Sequence, residues 1–268
     1  MDMEMDMRSA DAAQPSKEDP GTPPSTPPSD PEWCGEAGAQ APQAHGEAQT
    51  AQTQPATSVA DLRASDAGEH SDTIILLDWD DTLLPSTMLT QLGYRVDEKT
   101  PLPADLAGDL TGLAEDVIRL LDTCQQYGTV LLVTNAETGW VELSSERFMP
   151  TVITDIRQRG IKVVSARSAY DGPFPNSPVD WKQVAFVSEV GQLCDTAEPV
   201  NLVSIGDSLN ERTAAHHVGG KYDSGSIKTV KFVERPDIDQ IRRQLSLIAS
   251  NLGDIATHDG SFDVNLVC

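Results

Sequence analysis

Carboxylates close two of the apolar runs in this 268-residue chain, and a threonine, an amide and a lysine stand at matching places near others. The run TIILLD (73–78) leads into Asp78-Trp79-Asp80-Asp81-Thr82, TVLLVT (129–134) ends on Thr134-Asn135, and NLVSIG (201–206) runs into Asp207-Ser208, with Glu211 one helical turn further on. Lys182 falls at the expected start of the helix that precedes the last of these runs. Neighbouring strands lie about 4.8 Å apart, so carboxylates at adjacent strand ends crowd one another. Two like charges about 4 Å apart repel by roughly 4 kcal/mol at an effective dielectric of about 20. Asp78, Asp80, Asp207 and Glu211 together therefore require a cation. An all-oxygen ligand set favours a hard divalent ion, Mg2+ ahead of Zn2+. Such an ion with Thr134 and Lys182 beside it suits a phosphoryl group, whose oxygens need donors and positive charge. The residues themselves point to phosphoryl chemistry.

The elements that must gather these side chains are legible in the periodicity. Continuous apolar runs at 73–78, 129–134, 161–166, 201–206 and 228–233 read as strands buried on both faces. Between them, Leu113, Val117, Leu120, Leu121 and Cys124 recur at helical spacing, as do Val152, Ile153 and Ile156, and later Ile238, Ile241, Leu245 and Ile248. This alternation predicts an α/β domain over 71–268, a Rossmann-like parallel sheet of about five strands with helices on both faces. Ligands of open α/β sheets bind at the carboxyl ends of the strands, which is where the carboxylates fall. Period-two alternation puts Asp78 and Asp80 on one face and Trp79 and Asp81 on the other. Lys162 is a rival to Lys182, but it opens a strand far from the expected site. His216-His217 lies inside the helix after Asp207 and reads as surface or packing rather than as a metal pair.

Charge and composition narrow the classes. Lys+Arg total 19 against 42 Asp+Glu, a formal net charge of -23. That balance excludes sequence-nonspecific nucleic-acid binding and docking on anionic membranes, both of which need basic surfaces. No apolar run approaches the roughly 20 residues that span a bilayer. Cys34, Cys124, Cys194 and Cys268 are widely separated with no CxxC pair, so neither a disulfide framework nor a zinc site is expected. The opening MDMEMDMRSADAAQ is acidic and lacks an apolar leader, and the setting expected is intracellular, cytoplasmic or nuclear. Residues 1–70 hold 9 of the 18 prolines, with 13 acidic and 3 basic side chains and few large apolar ones. Such a stretch cannot offset the entropy of ordering and is expected to be a disordered tail. Within it, GTPPSTPPSDPEW reads as a Pro-rich docking sequence for partners or, more simply, as solvated chain.

Four motifs over 73–211 resemble, in type and order, those of the haloacid dehalogenase-like superfamily: IILLDWDDT, LLVTN, WKQVAF and SIGDSLNE. Most members are Mg2+-dependent phosphohydrolases with an aspartate nucleophile. The resemblance implies a Rossmann-like sheet with a turn and a β-hairpin flap just after the first strand. It implies Asp78 as the nucleophile that carries an aspartyl-phosphate and Asp80 as the general acid and base. Thr134, with the Asn135 amide, would hold the phosphoryl group, and Lys182 would screen its charge against Asp78. Asp78, the backbone carbonyl of Asp80 and Asp207 would bind Mg2+. Glu211 stands where the family usually has Asp, and its extra methylene implies a metal contact through water. Residues 84–108 leave room for a small flap and no large cap domain. An open site of that kind fits a phosphoprotein or another large phosphomonoester better than a small sugar phosphate. The alternatives are a small-metabolite phosphatase, transfer of the phosphoryl group to an acceptor other than water, and a catalytically silent interaction module on the same fold.

Overall fold

A computed structural model of the chain describes residues 73–98 and 100–267. The tail expected over 1–70 lies outside the described residues. The elements run β1 (Thr73–Leu77), α1 (Ser86–Gln91), α2 (Ala104–Tyr127), β2 (Gly128–Thr134), α3 (Trp140–Phe148), α4 (Pro150–Arg159) and β3 (Lys162–Ser165). Then come α5 (Ala166–Tyr170), α6 (Pro178–Leu193), β4 (Val200–Gly206), α7 (Leu209–Gly219), β5 (Gly225–Lys231), α8 (Ile238–Thr257) and β6 (Phe262–Asn265). All strands are parallel, in the order β3-β2-β1-β4-β5-β6. The connections reverse direction at β1, which is flanked by β2 on one side and β4 on the other. This is the switch point of an open α/β sheet, and the crevice beyond the carboxyl ends of β1 and β4 is its natural site.

The alternation of side chains along β1 sorts two cores. Ile75, Leu77 and Trp79 join α2, α3, α4 and α8 on one face of the sheet, with Leu113, Val117, Ile153, Ile241 and Leu245. Ile74 and Leu76 join α5, α6 and α7 on the other, with Ala185, Phe186, Ala214 and Val218. All five β1 residues are buried, as a central strand covered on both faces requires. The amphipathic α8 begins at a reciprocal cap: the Gln240 amide donates to Asp237 Oδ1 at 2.7 Å, and the Asp237 amide donates to Gln240 Oε1 at 3.0 Å. Helices therefore cover both faces, as the periodicity predicts.

Two details differ from expectation. The sheet has six strands rather than about five, because β6 is a short edge strand with mostly exposed residues and so leaves no apolar run to read. It is fastened by side chains: Thr229 Oγ1 donates to Asp263, His216 Nε2 bonds Asp263 at 2.9 Å, and Arg212 donates to Val264 O at 2.8 Å. His216 is thus an exposed structural contact, as a surface reading of His216-His217 has it. After β1 the described residues hold no β-hairpin. One bridge between Asp80 and Leu84 and the six-residue α1 stand in its place, and the described residues hold no large cap. Among the described residues no helix is long and apolar enough to cross a membrane.

Candidate active site

Asp78 continues the Ile74–Leu76 side of β1 and therefore emerges on the face covered by α6 and α7. Those helices deliver its partners. Lys182, in the first turns of α6, is 1% exposed and donates its Nζ to Asp78 Oδ1 at 2.6 Å and to Glu211 Oε1. Glu211 lies in the first turn of α7, where its other oxygen accepts from the Ser208 amide at 3.0 Å and the Ser208 hydroxyl at 2.6 Å. Ser208 and Glu211 form a capping box, so one carboxylate both caps α7 and anchors the lysine. This packing needs Gly206: a methyl group there would fall 2.2 Å from Glu211 Cγ. Lys162, the rival lysine, pairs with Glu189 instead, away from Asp78.

Burial and charge divide the three groups. Burial alone would lower the Lys182 ammonium, but the Asp78 and Glu211 carboxylates outweigh it and keep the lysine charged. Burial also pushes Glu211 up, yet Lys182 and Ser208 reverse this and hold it below the ordinary carboxylate range. Asp78 ends raised, because burial exceeds what its share of Lys182 returns, and the Glu211 and Asp80 charges add to it.

Asp80 departs from the predicted alternation. The strand ends at Leu77, and the chain turns: the Thr82, Leu83 and Leu84 amides all donate to Trp79 O, and Asp81 adopts a left-handed backbone at φ 52. Asp80 is thereby swung toward the end of β2. Thr134 Oγ1 donates to its Oδ2 at 3.3 Å, and Trp140 Nε1 donates to its Oδ1 at 2.8 Å. Burial raises the Asp80 carboxyl above its ordinary value, against the lowering effect of its hydrogen bonds, that from Trp140 the largest. Asp81 accepts from the Thr87 amide at 2.9 Å and so ties the turn to α1. Asn135 Nδ2 reaches across to Pro178 O at 3.2 Å, joining the end of β2 to the start of α6.

Asp207 follows β4 beside this group and takes part in no ion pair among the described residues. Burial, then the negative charges of Glu211 and Asp81, push its carboxyl up to about 7. A carboxylate so short of positive charge fits a cation. The described residues hold no ready-made cage of three or more Asp, Glu, His or Cys side chains. Mg2+ does not ask for one, since it usually binds one or two carboxylates and keeps waters and substrate phosphates as its other ligands. The donors available are Asp78, Asp207 and the backbone carbonyl of Asp80, whereas both Glu211 oxygens are already engaged.

The raised Asp207 carboxyl gives a signed pH effect. In the unfolded chain it ionises near 3.8, in the fold near 7. Its contribution to the stability of the metal-free protein is therefore fully present below 3.8 and is lost progressively as the pH climbs to about 7. Urea unfolding in a chelator should show wild type losing stability relative to Asp207→Asn across that window. Parallel curves for the two proteins would remove the assignment.

The structure thus brings Asp78, Asp80, Thr134, Lys182, Asp207 and Glu211 to one end of the sheet, with Asn135 at its edge. Sequence reasoning missed Ser208 and Trp140. The capping-box spacing Ser208-x-x-Glu211 is a local signal that reveals the first. No local signal marks Trp140, which meets Asp80 across a separation of 60 residues. Comparison of the chain with protein-family models, with curated proteins and with solved structures finds no match. The functional reading accordingly rests on the residues themselves.

Proposed function

We propose that the chain is a Mg2+-dependent phosphomonoester phosphatase of the haloacid dehalogenase-like type, working through an aspartyl-phosphate on Asp78. The observation that carries this reading is the buried Asp78–Lys182–Glu211 triad at the switch point of the sheet, with the cation-poor Asp207 beside it. In this reading an Asp78 oxygen attacks phosphorus, the bond from phosphorus to the leaving oxygen breaks, and Asp80 gives its proton to that oxygen. Water then attacks the phosphorus, Asp80 takes the water's proton, and the bond to Asp78 breaks to release phosphate. Burial raises the Asp80 carboxyl above its ordinary value, the direction that favours the proton-carrying form a general acid needs. Lys182 offsets negative charge next to Asp78, and Glu211 is its anchor rather than a metal ligand. Thr134, with the Asn135 amide, would hold a phosphoryl oxygen. A bound Mg2+ on Asp78, Asp207 and the Asp80 carbonyl would neutralise developing charge on the phosphoryl oxygens.

The absence of a large cap favours a phosphoprotein or other large phosphomonoester as substrate. Val179 and Leu209, which follow the Pro178 and Ser208 contacts of the site, are exposed and apolar and would meet such a substrate. The test is hydrolysis of p-nitrophenyl phosphate by the full chain. Activity that requires Mg2+, disappears with chelator and returns on adding the ion is expected. Activity indifferent to chelator would overturn the metal-dependent reading, and a folded protein that neither turns over phosphoesters nor binds Mg2+ would favour a silent interaction module.

A further inference from the structure

Trp140, Ser86 and Thr134 all hydrogen-bond the Asp80 carboxyl, and the indole differs in kind from the two hydroxyls. The indole N–H of Trp140 reaches Oδ1 at 2.8 Å, and the hydroxyl of Thr134 reaches Oδ2 at 3.3 Å. An indole N–H only donates, so Oδ1 must present a lone pair to it in either protonation state of Asp80. A hydroxyl both donates and accepts, so Oδ2 can hold a proton without losing a partner. Two contacts on different oxygens also fix the plane of the carboxyl group, which one contact would leave free to swivel.

The helix that carries the indole is fastened to the same loop. Trp79, fully buried between Asp78 and Asp80 in the chain, donates its Nε1 to Ser144 Oγ at 3.0 Å. Ser144 Oγ in turn donates to Trp140 O at 2.6 Å. The first turn of α3 is therefore bound to the end of β1 by two indole N–H groups, one in the core and one at the carboxyl of Asp80.

We infer that Trp140 is a positioning residue that orients Asp80, directing its proton to Oδ2 for delivery to the leaving oxygen. This rests on the phosphatase reading. Its signature is sensitivity to the leaving group. The p-nitrophenolate ion is a weak base that departs without a proton, whereas the alkoxide of phosphoserine needs one in the transition state.

The experiment compares wild type, Trp140→Phe and Asp80→Asn on p-nitrophenyl phosphate and on a phosphoserine peptide, with Mg2+ present. Trp140→Phe should lower kcat/KM, which reports the step that expels the leaving oxygen, by about 10- to 100-fold on the peptide and by less than about 3-fold on p-nitrophenyl phosphate, whereas kcat, which includes the base step common to both esters, carries no such bias. Asp80→Asn should show the same bias more strongly. Equal losses on the two esters, or none, would overturn the inference while leaving the phosphatase reading intact. A wild type that cleaves neither ester removes both. Where Trp140→Phe does not fold, 3-benzothienyl-alanine at position 140 keeps the fused ring, puts sulfur in place of the N–H and gives the same two outcomes.

Discussion

Asp78→Asn should abolish turnover of p-nitrophenyl phosphate, by at least about 1,000-fold, while the protein stays folded. The amide is the same size and shape, and its oxygen still accepts from Lys182, so the packing at the end of β1 is kept. What is lost is the negative charge that makes the group a nucleophile. In an acid-quenched mixture the wild type should show a phosphate label that hydroxylamine removes, and the variant should show none. Stability adds a second readout. Burial disfavours the ionised form of Asp78 in the fold, against the partial relief from Lys182. The neutral amide should therefore be no less stable than wild type in urea at pH 7. An Asp78→Asn protein that retains full activity would end the assignment of the nucleophile.

Lys182→Met carries the largest expected effect on stability. The lysine is 1% exposed and is bonded to both Asp78 and Glu211. Its removal leaves two buried carboxylates facing each other without a cation, and losing one partner of a buried ion pair costs about 3–5 kcal/mol. Urea denaturation at pH 7 checks this. The deficit should shrink as the pH is lowered and the carboxylates take up protons. Adding Glu211→Gln to the lysine variant should recover part of the stability, because it removes one of the opposed charges, but no activity. A loss below about 1 kcal/mol would show that the triad is not held as tightly as its contacts imply.

Several parts of this geometry were legible in the chain. The apolar runs at 73–78 and 201–206 read as strands covered on both faces, and residues that follow such strands fall at the ligand-binding edge. Lys182 was legible because it opens an apolar helix just before the strand that ends in Asp207. By contrast β6 was not, since an exposed edge strand has no need of an apolar run and is kept in place by Arg212, His216 and Thr229 from its neighbours. For Glu211 the resemblance implied a metal contact through water; in the fold one of its oxygens accepts from Lys182 and the other from Ser208.

Sequence by itself determined which reactive side chains follow the strands and on which face Asp78 emerges, because alternation along a buried strand is local and Ile74 and Leu76 have only one way to face α6 and α7. The tertiary structure alone decided what Asp80 touches. Beyond Leu77 the chain leaves the strand and turns through the left-handed Asp81, so the period of two no longer applies. Thr134 and Trp140, which then meet Asp80, come from the end of β2 and the start of α3 and are brought to it by the stacking of strands and helices.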